Sequence, residues 1–444
     1  MSKKIVLIGA GSAQFGLETI ADILLSKVLE GSTICLHDIN PKALGLVERV
    51  ARQAVKENRL PFNLTATTNR KTALKAADFC IISIEVGNRF KLWEQDWKIP
   101  LRYGSRQVFG ENGGPGGLFH SLRIIPPILA ICRDMERICP EAYLFNYSNP
   151  MARICLAIKR QSPRLKAIGI CHEIGSMPYH LPRILKMPFS NLEIKAGGLN
   201  HFSVLLEVRY KDTGKDAYPE VRRKAVRYFQ SRKTGRGGRE RALFMEIFKK
   251  FGYLPITTDS HFGEYIHWAW DIADHKGIKY FYRRYKRGCF AQGPRLQKIA
   301  EGRPRGDPVG RLQEEWWRQF SGERVIPMIE GILTDSGQPE LAANLPNNGL
   351  IDNLPSDSVV EVPARVDKKG VHGVKLGALP KGIAALLAKE VATQDLVVEA
   401  AITGSRQIAL QALLVDQNMG SFRNAQKLLD KMIKLQKPYL SYLK

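Results

Sequence analysis

The first forty residues constrain the fold more than any other part of the chain. Residues 5–8 (IVLI) are a continuous apolar run that ends in Gly9-Ala10-Gly11-Ser12, and a helical pattern follows through Leu17, Ile20, Ile23 and Leu24. A buried strand that turns on glycines directly into a helix opens a parallel βαβ unit. A second apolar run, 32–37, ends at Asp38, and the segment between is long enough for the crossover helix. Further candidate strands at 77–84, 142–146 and 166–171 alternate with helical stretches such as 124–138. This alternation predicts an α/β fold with a doubly wound, Rossmann-type parallel sheet.

The same turn predicts a cofactor. Gly9 lets the chain leave the strand sharply, and Gly11 lets backbone amides approach a pyrophosphate at the positive end of the following helix, with Ser12 beside it. The third glycine position of the usual fingerprint is Gln14 here, which weakens the motif taken alone. Asp38 supplies a second check. An acid at the end of the second strand accepts hydrogen bonds from ribose hydroxyls and disfavours a 2′-phosphate, so NAD is expected rather than NADP.

A chain of 444 residues with 44% hydrophobic residues is too long for one compact domain of usual size. After about residue 175 the pattern changes: 192–209 reads as strand-rich and the region after it as helical and basic. The expected division is a dinucleotide-binding domain over 1–175 and an α+β domain carrying metal and substrate residues over 176–444, closing with long amphipathic helices at 386–414 and 422–435. Residues 111–117 (ENGGPGG) read as a glycine-rich loop that cannot be helical and that shapes a pocket wall, with His120 and Arg123 just beyond as candidate substrate contacts.

No run of about 18 apolar residues appears, and the short apolar stretch after Lys3-Lys4 is no leader, so a soluble, cytoplasmic protein without a membrane partner is expected. Seven cysteines, an odd number without framework spacing, fit a reducing compartment. The net charge of +24 is concentrated partly in 221–241 and 279–287, the first with a glycine-bearing tip suited to a mobile loop. These segments suit a solvated face, an anionic substrate or nucleic acid, but no recognition motif accompanies them and no nucleic-acid partner is expected.

Cys171 ends an apolar strand and precedes His172-Glu173, while His201 follows Gly197-Gly198-Leu199-Asn200 at another strand boundary. A thiolate and an imidazole brought together in a cleft make half of a divalent-metal site, although spacing alone is a weak signal. Five blocks add weight: IVLIGAGS at the start, NYSNP at 146–150, GICHEI around Cys171, GLNHF around His201 and VVEVPARVD at 359–367. In their order and spacing they make the chain resemble glycoside hydrolase family 4 over nearly its whole length.

The resemblance implies a lactate/malate dehydrogenase-like fold, a catalytic NAD, a divalent ion such as Mn²⁺ held by Cys171 and His201, a sugar contact at Asn149, and a homo-oligomer. It also implies a redox route to hydrolysis, unlike the paired carboxylates of ordinary glycosidases. Carbon 3 is oxidised, the proton on carbon 2 is removed, the aglycone leaves, water adds and hydride returns. Asp259 is the first candidate for the base and Tyr265 the second, with His172 as a further catalytic group and Glu173, Asn200 and His261 as substrate contacts, His261 also as base or extra ligand. The residues after the cysteine vary with substrate in this family, and Cys171-His172-Glu173 resembles the α-galacturonidases. An oligogalacturonide substrate is therefore expected, with an α-galactoside or α-glucuronide as alternatives and a simple NAD-dependent hydroxy-acid dehydrogenase as the rival of another class.

Overall fold

The computed structural model describes residues 2–12, 15–231, 240–301, 318 and 321–444. Gln14 and the tip of the basic segment 221–241 lie outside the described residues. Six parallel strands build one half of the sheet: β1 (Lys4–Ile8), β2 (Thr33–His37), β3 (Asn63–Thr67), β4 (Phe79–Ile82), β5 (Tyr143–Asn146) and β6 (Lys166–Gly169). Their spatial order is β3-β2-β1-β4-β5-β6. The winding reverses between β1 and β4, which leaves a crevice at the carboxyl ends of these strands.

Side chains alternate between two cores, as the period of a strand demands. Val6, Ile8, Cys80 and Ile82 face one layer, and Ile5, Leu7, Phe79 and Ile81 face the other. The first layer holds helix Gly114–Ile138 together with three helices from the end of the chain, Lys381–Thr403, Arg406–Val415 and Phe422–Leu435. The second holds Phe15–Leu25, Pro41–Glu57 and Val325–Thr334. Leu413, Leu428 and Leu429 are buried against the parallel half of the sheet, each contributing about 1.5–3 kcal/mol. The end of the chain thus stabilises its beginning.

The other half is antiparallel: β7 (Leu192–Leu199), β8 (Phe202–Tyr210), β9 (Leu254–Pro255), β10 (Gln338–Pro346), β11 (Val359–Asp367) and β12 (Gly370–Gly373). β10 joins β6 where Asn344 pairs with Gly169, so one sheet runs on in the order β6-β10-β11-β7-β8-β9. A Cβ at Gly169 would lie 2.7 Å from Cys155 Sγ and 2.9 Å from Asn344 Cβ, so only glycine admits this junction. β7 and β8 are joined by a two-residue turn, Asn200-His201, with His201 at φ 62° in the left-handed region that residues bearing a Cβ seldom enter.

Several sequence expectations change. Residues 111–117 are not wholly a loop, because helix Gly114–Ile138 begins inside them. Pro115 suits the first turn, and Gly116 and Gly117 pack so closely that a Cβ would lie 2.4 Å from Gly110 O and from Asn112 O respectively. The helix expected at 386–414 is two helices, ended at Gly404 (φ 72°) and restarted by the Ser405 cap. β3 escaped notice because NLTAT is short and only Leu64 is buried. Segment 279–287 lies within helix His275–Ala300, where Tyr282 and Lys286 bond Glu94. Helix Gly114–Ile138 is long and apolar enough to cross a membrane by length and composition, and most of it is buried in the core.

Candidate active site

A cleft of about 1450 Å³ opens at the carboxyl ends of the parallel strands, lined at one end by Gly9, Ser12 and Asp38 and deeper in by Cys171, His201 and His261. The amides of Gly9 and Ala10 donate to His37 O at 2.9 and 3.1 Å, tying the glycine turn to the end of β2. Gly11 N and Asn40 N donate to Asp38, each at 2.8 Å, which fixes the carboxylate at the strand end. Gly9 has φ 92°, and a Cβ there would lie 2.1 Å from Ser83 O. A larger residue would push the turn off the sheet.

Three segments meet at the inner end: the turn Glu173–Gly175 after β6, the β7–β8 turn, and the short helix Asp259–Phe262. Glu173, His201 and His261 each place a ligand atom within 4.8 Å of the others. The two imidazole rings lie 4.5 Å apart at 75°. His201 is buried with Nδ1 unpartnered, and burial, with His261 and His172 nearby, holds it well below the usual histidine range, hence neutral. Two imidazoles beside a carboxylate, with His201 kept neutral, are a donor set suited to Mn²⁺ or a similar divalent ion, so the residues present fit such an ion.

Cys171 lines the same cleft, its thiol pushed up by burial and then by Glu361 and Glu173. Behind it Glu361 accepts hydrogen bonds from Asn200 Nδ2 at 3.1 Å, Ser203 Oγ at 2.8 Å and Asn344 Nδ2 at 3.2 Å. Asn200 is thus occupied with the wall and does not line the cleft, contrary to its expected place against substrate. Asn149 does line it, with a buried Oδ1 that has no partner.

Neither expected base reaches the cleft. Asp259 is fully buried, and its oxygens accept from the amides of Leu243 (3.1 Å), Phe244 (2.9 Å) and Asp274 (3.0 Å), so this carboxylate caps backbone. Tyr265 stacks on Phe202 at 4.9 Å and turns its hydroxyl toward Asn200 O at 3.5 Å, again inside the wall. His172 stands at the lip with Nδ1 3.4 Å from Glu323 and Nε2 3.9 Å from Glu173. The bond to Glu323, with Glu173 behind it, raises this imidazole to about 9. His120 and Arg123 sit deeper: His120 bonds Glu111 O at 2.8 Å, and Arg123 pairs with the buried Asp96.

One wall was not anticipated. The Arg89 guanidinium lies between Trp93 and Tyr285, at 5.4 and 5.3 Å from their ring centres, and donates to Glu111 Oε1 at 2.7 Å. Glu85 stands 3.7 Å from its Nε, and Glu111 reaches toward His261 at 3.9 Å. Arg89 and Tyr285 are 196 positions apart, and no motif announces either.

Comparison with known proteins agrees with this geometry. The profile of the Family 4 glycosyl hydrolases matches residues 4–187, and that of the family's C-terminal domain matches 196–419. An alpha-glucosidase of Erwinia rhapontici is 50% identical over all of both chains, and an alpha-galacturonidase of Thermoanaerobacter italicus is 28% identical over 98% of this chain and 97% of its own. Two structures of 6-phospho-alpha-glucosidase from gut microorganisms cover all of both chains. One, in complex with NAD and Mn²⁺, has a TM-score of 0.84 at 21% identity, and the other, with NAD and glucose-6-phosphate, has 0.83 at 26%. Malate dehydrogenase of Cryptosporidium parvum shares the fold at a TM-score of 0.50 and 16% identity, over 90% of this chain and 99% of its own.

Proposed function

Because the chain belongs to the family 4 glycosyl hydrolases, we propose that it hydrolyses an α-glucosidic bond with NAD and a divalent ion such as Mn²⁺ as resident cofactors. The observation that carries this reading is one cleft with the glycine turn and Asp38 at one end and Glu173, His201 and His261 converging at the other. The turn and Asp38 would hold the dinucleotide, while His201, His261 and Glu173, with Cys171 beside them, would hold the ion. Bound NAD would take and return a hydride at a sugar carbon, and the ion would polarise adjacent sugar oxygens, with no net redox change.

The chain's own groups do the rest. Asn149 Oδ1 accepts a sugar hydroxyl. With Asp259 and Tyr265 tied into the wall, proton removal falls to a carboxylate that reaches the cleft, and Glu111, facing His261 at 3.9 Å, is so placed. His172, braced by Glu323, holds a proton at the lip for the departing oxygen.

A neutral glucoside is favoured over a uronide on two grounds. The relative at 50% identity is named an alpha-glucosidase, and Arg89, the cation of the aromatic wall, is already engaged by Glu111 and Glu85. A uronate carboxylate entering there meets two acids and a guanidinium that they already hold. The galacturonide reading stands second, carried by Cys171-His172-Glu173. The test is turnover of p-nitrophenyl α-glucoside, α-galactoside and α-galacturonide with catalytic NAD and Mn²⁺ under reducing conditions. Preference for the glucoside without accumulating NADH is the expected result. Preference for the galacturonide moves the substrate back to the uronides, and NADH formed in step with product overturns the glycosidase route.

A further inference from the structure

The cleft has a third arm that the chemistry above leaves unused. Beyond Glu173 it is lined by Ser176, Tyr179, His180 and Arg241. Arg241 is 8% exposed, and among the described residues neither its Nε nor its Nη1 has a hydrogen-bond partner; Nη2 reaches His180 Nε2, at 3.4 Å. Its guanidinium lies 4.2 Å from the ring centre of Phe244 and 4.9 Å from that of Phe229. Since arginine is donor only, His180 must accept at Nε2, carry its proton on Nδ1 and donate it to Tyr228 Oη at 3.0 Å. His180 is neutral: burial, then Arg241 and Arg183, lower it to about 4.

Leaving two donor atoms of a buried guanidinium unpaired is costly, so finding them so in a cleft wall points to a ligand. The surrounding charge indicates what kind. Asp259, Glu173 and Glu240 all act on Arg241 electrostatically, but Asp259 is spent on three backbone amides and Glu240 accepts from Thr258 Oγ1 at 3.2 Å. The cation is balanced at a distance while its Nε and Nη1 stay unpaired. An anionic ligand would face a net negative shell, whereas a hydroxyl or ether oxygen would accept these donors without that penalty.

This arm also opens outward. Tyr179 is 42% exposed and carries Arg183 on its ring at 3.6 Å, whereas the Arg89–Glu111 wall is lined by Phe90, Trp93, Tyr285 and Phe281. The aromatic wall suits the ring being cleaved, and the arm with the exposed tyrosine the group that leaves. Resting on the glycosidase reading, we propose that Arg241, with Tyr179 at the lip, forms a leaving-group subsite that binds a neutral, polyhydroxylated aglycone such as a second sugar.

The test compares the α-linked disaccharide and the p-nitrophenyl glycoside of whichever glycone the wild type turns over, in wild type and Arg241→Gln, with saturating NAD and Mn²⁺. The ratio of kcat/KM for disaccharide over aryl glycoside should fall about 10-fold, mainly through KM, as expected for one lost hydrogen-bonding anchor worth about 1.4 kcal/mol. Arg241→Lys, which keeps the charge but not the fork, should recover only part of it. A ratio that does not move overturns the subsite, as does a wild-type preference for carboxylate-bearing aglycones that vanishes in the variant. If Arg241→Gln does not fold, Tyr179→Ala at the exposed lip should lower the ratio in the same direction, and an unchanged ratio there is equally fatal. A wild type that cleaves neither class of glycoside sinks the glycosidase reading, and the subsite with it.

Discussion

The two ends of the cleft are built differently. At the nucleotide end the working groups come from residues 9–12 and 38, and most of what they present is backbone: a glycine turn whose amides are tied to His37 O, Asp38 and Gly9 O. At the inner end the groups are side chains from segments around 171–173, 201 and 261, brought together from separate parts of the chain. Their positions depend on a second layer of buried carboxylates, Glu361 behind Cys171, Asp259 across the start of helix Ala242–Phe251, and Glu264 accepting from the amides of Glu111 and Asn112. A backbone site is specified locally and tolerates side-chain change. A side-chain site is only as good as the layer that supports it.

The sharpest way to break this contrast is His201→Ala. Removing a central donor should lower Mn²⁺-dependent kcat/KM by more than about 100-fold, past the range seen for groups behind a ligand, while NAD affinity measured by titration stays within a few-fold. Equal loss of NAD binding would mean that the two ends are not independent. Next in size is Glu361→Gln. The new amide keeps one acceptor oxygen for either Ser203 or the Asn200–Asn344 pair, turns an NH2 at the other, and lacks the charge that now draws all three donors, at a cost of about 1–3 kcal/mol of stability. Mn²⁺ affinity by calorimetry should weaken about 10-fold. A variant with unchanged ion affinity would show that the second layer supports the fold alone.

The same contrast explains what could be read in the sequence. The parallel half was legible because each strand is a short apolar run ending in a turn signal, and Gly9, Gly11 and Asp38 carry their meaning within one βαβ unit. Cys171, His201 and Asn149 became visible through blocks of resemblance, which fix order but not orientation. Asp259 and Tyr265 looked like bases because the stretch 257–265 is rich in proton-transferring groups. Only the fold shows that one carboxylate caps three amides and that the phenol stacks on Phe202. Arg89 had no signal at all, and Glu111, Tyr285 and Arg241 lay in segments noted only as a glycine-rich wall or as basic, since their roles arise from pairings across the chain. The Cys171-His172-Glu173 tripeptide pointed to a uronide, but a tripeptide reports nothing about whether the cations of the opposite wall are free, and Arg89 is not.

The smallest effect probes the backbone-built end. Asp38 accepts from Gly11 N and Asn40 N with one oxygen each, so it orders the turn as well as offering lone pairs to a ribose. In Asp38→Ala the glycine turn keeps its bonds to His37 O, and the pyrophosphate cradle should persist. The ribose contact and the repulsion of a 2′-phosphate are removed, together with the bonds from Gly11 N and Asn40 N. NAD should bind about 10-fold more weakly, close to 1.4 kcal/mol, and the preference for NAD over NADP should shrink by at least that factor. Mn²⁺ affinity should not change, because no group at the inner end touches Asp38. If NADP stays excluded while NAD weakens, Asp38 shapes the turn without choosing the cofactor, and discrimination belongs to other residues of that arm, with Arg70 the cation at hand.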